Sequence, residues 1–260
     1  ETFICDKTLS FHCGFEIEFY LNPKKIEYLL AKLVKLIPQF QMILINLEDV
    51  PKTNGKDFYL ISENTGSPPK GYKSYELVSP KLDYKTLPYY ISKIIRALNK
   101  VGAIDDENVG FHLHVSTIDC KPISPITLIY FLDQAGALRG KERKYTRNII
   151  KQFFSYKPEG WEIIFENIAR KCYNVNLLYF KDDNRIELRT IGGNGYLKDI
   201  NLILETLFRC LDAYEHSVNI DSVDVANHII KFYKLNKNVI ELKDIDFDKM
   251  IKISKNDLWF

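Results

Sequence analysis

The sequence has almost no net charge of either sign: 36 basic side chains stand against 34 acidic ones in 260 residues, a formal balance of +2. That argues against a polybasic nucleic-acid binder and against an acidic tail protein. Cysteine is sparse and unpatterned. The five residues Cys5, Cys13, Cys120, Cys172 and Cys210 are odd in number, scattered, and never form a CxxC pair. A disulfide scaffold or a structural zinc knuckle is therefore not expected, and a reducing cytosol is the default. No apolar run approaches the roughly 18 residues of a membrane span, and the first residues lack the basic and apolar regions of a signal peptide. The expectation is a soluble cytoplasmic protein with no membrane or nucleic-acid partner. Because the chain starts at Glu1 and not Met, a removed segment ahead of it is left open. Repeats, low-complexity tracts and Gly/Ser/Pro linkers are lacking too, which predicts one compact domain over residues 1–260. Tryptophan is scarce at 2, but 16 Tyr, 16 Phe, 46% hydrophobic and 27% charged residues make an ordinary globular composition. Such a chain should bury roughly 75% of its unfolded surface, and its aromatic content suits a large sheet covered by helices.

Asn22-Pro23 can cap and start a helix whose apolar residues Ile26, Leu29, Leu30, Leu33, Val34 and Ile37 follow the i, i+3, i+4, i+7 pattern, with Pro38 ending it. A second helix is predicted from Lys85 to Val101, with Leu87, Tyr90, Ile91, Ile94, Ile95 and Leu98 inward and Gly102 just past its end. Further helices are placed near Pro125 to Leu138, Lys141 to Phe154, Gly160 to Arg170, Asp199 to His216 and Val223 to Leu235. Period-two alternation marks strands at Cys13 to Tyr20, Met42 to Leu47, Phe58 to Ser62, Ser74 to Ser79, Gly110 to Ser116, Val175 to Phe180 and Arg185 to Thr190. Strands and helices do not alternate strictly, so the expected class is α+β with a mainly antiparallel sheet.

The chemistry-bearing residues sit on these strands. In GFEIEF, Phe15, Ile17 and Phe19 share one face and leave Gly14, Glu16 and Glu18 on the other. Residues two apart on a strand lie roughly 7 Å from each other, close enough to hold neighbouring hard cations, although a half-exposed strand gives the same pattern without a site. In GFHLHVS, Gly110, His112, His114 and Ser116 share the face opposite Phe111, Leu113 and Val115. Paired imidazoles beside a glycine point to metal or phosphate contact, and with no HExxH or CxxC but many glutamates, Mg²⁺ or Mn²⁺ is favoured over zinc. In RIELR, Arg185 and Arg189 flank Glu187. That reads either as a surface strand of mutually neutralising charges or as a carboxylate ligand between two phosphate-gripping guanidiniums. Gly192, Gly193 and Gly195 follow, and both a close approach to a ligand and a plain turn explain them. YELVSP places Glu76 at the end of a strand that Pro80 terminates. Four strands with polar or charged groups on one face are more economically explained by one shared site than by separate coincidences.

GFEIEF, YELVSP, GFHLHVS and the stretch from Tyr173 to Arg189, with Asn176 ahead of RIELR, resemble in order and wording the amidoligase family of the carboxylate–amine ligase superfamily, which includes glutamine synthetase and glutamate–cysteine ligase. The resemblance covers roughly residues 13–218; beyond His216 only helix-forming sequence follows, a C-terminal extension over 219–260. It implies a glutamine-synthetase-like, mainly antiparallel sheet folded into a partly open barrel, with ATP and Mg²⁺ or Mn²⁺ between the strands. Glu16, Glu18, Glu76, His112 and Glu187 would then be metal ligands, and His114 a nucleotide-phosphate or substrate contact. Arg185 and Arg189 would bind the nucleotide's phosphates and the transferred phosphoryl group, with Asn176 in support. Where the family has an aspartate and a serine ahead of the YELVSP-like strand, this chain offers Glu63 and Thr65, which puts Glu63 at the substrate pocket.

Arg139, Arg143 and Arg147 recur at four-residue steps, which predicts one side of a helix; by the resemblance Arg143 and Arg147 would receive a substrate carboxylate or phosphate. The implied activity is ATP-dependent joining of a carboxylate to an amine through an acyl phosphate, on an amino acid, a small peptide or a protein side chain. The loop from Asn64 to Gly71 is the candidate cover against water. A phosphotransferase acting on an amine or guanidine, a non-catalytic ATP- and metal-binding module, and a metal-dependent amide hydrolase remain alternatives at this point.

Overall fold

The computed structural model describes residues 7–46, 55–63, 67–117, 123, 125–140, 146–150, 173–177, 180 and 184–218. They group into two compact units: His12–His114 with Ile191–Glu205, and Glu1–Phe11 with Val115–Thr190 and Thr206–Phe260. The described part is a mixed α and β fold whose strand pairs are mostly antiparallel.

The strands β1 (Phe11–Leu21), β2 (Met42–Asn46), β3 (Phe58–Glu63), β4 (Lys73–Val78), β5 (Leu82–Asp83) and β6 (Gly110–Thr117), which belong to the first unit except for Phe11 and the last three residues of β6, lie side by side in the order β2-β3-β4-β1-β6, with β5 against β1. β1 alternates as expected: Cys13, Phe15 and Ile17 are buried while His12, Gly14, Glu16 and Glu18 are only partly so. Phe15 stacks on Phe111 of β6 at 5.8 Å and tilts against Phe58 of β3 at 6.1 Å, so one face of the sheet is an aromatic core and the other is left for polar groups. Two features differ from the sequence reading. β2 and β3 pair in parallel, Met42 with Phe58 through Asn46 with Ser62, and β5 is a two-residue strand too short to show any periodicity.

Helix α1 (Ile26–Leu36) follows a 3₁₀ turn at Pro23–Lys25, capped by the Asn22 side chain, which accepts from the Lys24 amide at 3.0 Å. Leu29, Leu33 and Ile37 are buried but Val34 is 49% exposed, so the apolar stripe is narrower than predicted. Helix α2 (Leu87–Val101) buries every residue expected to face inward. Gly102 is left-handed at φ 80°, and the Ala103 amide returns to the Leu98 carbonyl at 3.0 Å, the turn that lets a helix stop.

In the second unit, helix α3 (Pro125–Gln134) stops four residues sooner than predicted because Gly136 takes φ 77° and the Ala137 amide donates to Leu132 at 2.8 Å. β7 (Val175–Asn176) and β8 (Ile186–Gly192) pair antiparallel, Val175 opposite Leu188 and Asn176 opposite Glu187. Asn174 ties this unit together: its carbonyl accepts from the Arg189 amide at 2.8 Å, its Oδ1 from the Ile149 amide, and its Nδ2 donates to Leu138. Helix α4 (Ile200–Ser217) starts at the Asp199 cap, whose carboxylate accepts from the Leu202 amide at 3.0 Å, and its later turns, from Thr206, belong to this unit. There Glu215 accepts from Thr8 Oγ1 at 2.7 Å and the Leu9 amide at 2.9 Å. Among the described residues no helix is long and apolar enough to cross a membrane. The helices expected at Gly160 to Arg170 and Val223 to Leu235, and the 219–260 extension, lie outside the described residues.

Candidate functional site

The polar face of the first unit is built by register. β1 and β4 pair antiparallel with Glu18 opposite Glu76, and β4 and β3 pair with Glu76 opposite Ile61 and Ser74 opposite Glu63. Alternation then sets Glu16, Glu18, Glu76 and Glu63 on one face. β6, the neighbour of β1 on its other side, adds two imidazoles. His112 Nδ1 lies 2.9 Å from Glu16 Oε2 and His114 Nε2 lies 3.0 Å from Glu16 Oε1, so one carboxylate holds both rings. The Gly110 amide donates to Glu18 Oε2 at 2.9 Å, and His112 Nε2 stands 3.8 Å from the same oxygen. Donor atoms of Glu18, Glu76 and His112 all fall within 4.8 Å of one another. Gly14 widens this face beside His114: a β-carbon there would meet His114 Cβ at 3.9 Å and Ser79 Oγ at 3.4 Å, ordinary contacts, so its role is open space and not the relief of a clash.

The second unit brings together Glu187, Arg189 and Asn176. Asn176 Nδ2 donates to Glu187 Oε2 at 2.8 Å, and Arg189 Nη1 donates to Glu187 Oε1. Glu187 and Arg189 are both buried, which overturns the surface-strand reading of RIELR: β8 is buried on both sides of its pleat from Ile186 to Ile191. Arg185 is half-buried and precedes the strand. Arg143 lies outside the described residues. Arg147 is exposed, and neither Arg139 nor Arg147 is helical, contrary to the expectation that they share one side of a helix. Arg147 instead bridges Tyr173 in extended conformation, and its carbonyl accepts from the Asn174 amide at 2.9 Å. Of the helix expected from Lys141 to Phe154 only residues 146–150 are described; among them Ile149 and Ile150 are helical, behind Asn148, whose Oδ1 accepts from the Ile150 amide at 2.8 Å. That cap outweighs the four-residue spacing. Gly193 and Gly195 serve a turn, both at φ 88°.

Residues 9–159, more than half of the chain, match a protein-family model described as "Putative amidoligase enzyme". The chain belongs to this amidoligase family. The match contains GFEIEF, YELVSP and GFHLHVS, whereas Asn176 and RIELR lie beyond it. No curated protein matches this amidoligase-family chain. Among the solved structures that do is one titled "GmaS/ADP complex-Conformation 1", at 12% identity and a TM-score of 0.38, over 88% of this chain and 60% of that one. The family member described here thus spans 60% of that protein's length.

The electrostatics of the amidoligase-family face separate its two central carboxylates. Burial pushes Glu16 up, but the charge on His114 and hydrogen bonds from both imidazoles outweigh it and hold the carboxyl well below its ordinary value. Glu76 goes the other way: burial first, then the charges of Glu16 and Glu63, a hydrogen bond with Glu16, and the charge of Glu18 raise it well above the usual range. Glu76 is a carboxyl short of positive charge, and a cation is what would supply it. The donor set fits a hard divalent ion, because opposed oxygen or nitrogen ligands at about 2.0–2.6 Å from such an ion lie about 4–5 Å apart. With Nδ1 given to ionised Glu16, Nε2 is the ring nitrogen of His112 on the side of Glu18.

A prediction follows for Glu76→Gln. A raised folded-state pKa contributes stability below the ordinary carboxylate pKa of about 4.3 and loses it as pH rises through the folded value. Without metal the variant should therefore melt a few degrees above the parent at pH 8, and the gap should close toward pH 4. Mn²⁺ should stabilise the parent and leave the variant nearly unmoved. Thermal melts in chelator and in Mn²⁺ at the two pH values check both signs.

Proposed function

We propose that this chain is an ATP-dependent carboxylate–amine ligase requiring Mg²⁺ or Mn²⁺, working in the cytoplasm on a glutamine-synthetase-like, partly open barrel. The observation that carries the reading is the face on which Glu16, Glu18, Glu76, His112 and His114 converge, with the donor atoms of Glu18, Glu76 and His112 within 4.8 Å of one another.

In this reading the γ-phosphoryl of ATP passes to the substrate carboxylate, releasing ADP and leaving an acyl phosphate. The amine attacks the acyl carbon, phosphate departs, and the nitrogen gives up a proton to yield the amide. Glu16, Glu18, Glu76, His112 and Glu187 would hold the divalent ions, which supply charge neutralisation and Lewis-acid polarisation when bound. Arg185 and Arg189 bind phosphate oxygens, permanently charged as guanidinium is, and Asn176 orients Glu187. Ionised Glu16 accepts from both imidazoles, and His114 is the proposed contact to a phosphate or substrate oxygen. Glu63, Arg143 and Arg147 are the proposed contacts to the acid and amine substrates. Glu63 shares the face of Glu76, so its carboxylate suits an incoming ammonium group; Arg147 is exposed and extended, and its guanidinium suits a substrate acid.

The test is ADP release with ATP and Mn²⁺ across a panel of acids and amines, with product masses. Release that requires acid, amine and metal together, with an amide formed, is the expected result. A phosphorylated amine without an amide would move the assignment to a phosphotransferase. Product formation that persists without ATP would point to a hydrolase run in reverse and sink the ligase.

A further inference from the structure

Glu18 is held by a segment that no motif marks. The hydrogen bonds between Phe15 and Ser79 turn the backbone groups of Phe15, and by alternation those of Ile17 and Phe19, toward β4. The groups of Glu16, Glu18 and Tyr20 therefore face the other way. At Tyr20 they find Ile104, amide to carbonyl in both directions, at 2.9 and 3.0 Å. Two residues earlier the Glu18 carbonyl instead accepts from the phenol of Tyr196. The Gly110 amide, at the first residue of β6, is taken by the Glu18 carboxylate at 2.9 Å. Main chain and side chain of Glu18 are thus both fixed by unusual partners.

Tyr196 is buried and rides on the 3₁₀ turn Tyr196–Lys198 behind Gly192, Gly193 and Gly195. Both oxygens of Asp105 clamp that turn, accepting from the Gly195 amide at 2.7 Å and the Leu197 amide at 2.8 Å. The Gly193 amide donates to the carbonyl of Val109 at 3.1 Å, the residue just before Gly110. One loop consequently grips Glu18 directly and, through Val109, the amide that orients its carboxylate.

We propose that Tyr196, set in place by Asp105, is a positioning residue that aims the Glu18 carboxylate at the cation formed with Glu76 and His112. The proposal rests on the metal-binding reading of that face. Deleting the phenol oxygen in Tyr196→Phe removes the hydrogen bond to the Glu18 carbonyl and no ring volume, so the core stays filled. Groups that orient metal ligands are typically worth 10- to 100-fold in affinity. Mn²⁺ binding, titrated by electron paramagnetic resonance well below the melting temperature, should weaken on the order of tenfold in Tyr196→Phe, with a smaller loss in Asp105→Asn, which keeps one of the two clamping bonds.

Tyr90→Phe is the comparison for a purely structural effect. Its hydroxyl is likewise hydrogen-bonded within the first unit, to Gln39 of the α1–β2 connection, and losing it should lower the melting temperature without moving the Mn²⁺ affinity. Wild-type Mn²⁺ affinity in Tyr196→Phe, or an equal loss in Tyr90→Phe, overturns the positioning role while leaving the metal site standing. A parent protein that binds no Mn²⁺ overturns both together.

Discussion

Glu16→Gln is expected to cut metal-dependent ADP release on the order of 10³-fold and to lower the melting temperature of the metal-free protein at neutral pH, because a carboxyl held below its ordinary pKa contributes stability there when ionised. Glu16 is the carboxylate that both imidazoles share, at 2.9 and 3.0 Å, and its low pKa means that it carries its charge at neutral pH. Glutamine has the same shape but is neutral. Its carbonyl oxygen can accept from one imidazole, but its amide turns N–H donors toward the other ring, so the charge and one of the two bonds that lower the Glu16 pKa are lost. The face gives up a full negative charge beside His112, the ring whose donor atoms gather with those of Glu18 and Glu76. Cation binding is the property lost, so Mn²⁺ titration and steady-state ADP release should fail together. Turnover at the parental rate with unaltered Mn²⁺ binding would remove Glu16 from the machinery.

Much of this was legible because burial imposes a period. The face of β1 carrying Phe15 and Ile17 packs into an aromatic core, and a core on one side forces alternation, so Glu16 and Glu18 had to share the other side. α2 was legible for the same reason, with its stop written in Gly102. What alternation cannot carry is which strands meet. That Glu18 stands opposite Glu76 depends on the β1–β4 register, a pairing across 58 residues of chain with no local signal. The parallel pairing of β2 and β3 is hidden likewise. The arginine spacing misled because it was weighed without Asn148, a helix-capping residue one position after Arg147. Tyr196 and Asp105 escaped notice since each acts through backbone groups of residues distant in sequence; only the glycines beside Tyr196 hinted at a turn. For RIELR the sequence showed that opposite charges adjoin, but not that they are buried, and burial changes what the pair is worth.

That last point sets the second large effect. Glu187 and Arg189 are 7% and 8% exposed, joined to each other and, through Glu187, to Asn176. Removing one partner of a buried ion pair typically costs about 3–5 kcal/mol, because the remaining charge keeps its desolvation penalty. Glu187→Ala should therefore lower the melting temperature on the order of 10 °C, and the resulting loss of activity would say nothing about chemistry. Replacing the pair together by apolar residues of similar volume, Glu187→Leu with Arg189→Met, removes both charges at once and should restore most of the lost stability, with Asn176 Nδ2 left to find another acceptor. The double variant then isolates the proposed roles. If Glu187 is a metal ligand and Arg189 a phosphate contact, a protein that melts close to the parent should still fail to release ADP, and should bind ATP analogue more weakly by at least tenfold, one charge-assisted contact being worth about 1.5–3 kcal/mol. A stable double variant that turns over at the parental rate would make the pair a structural element only.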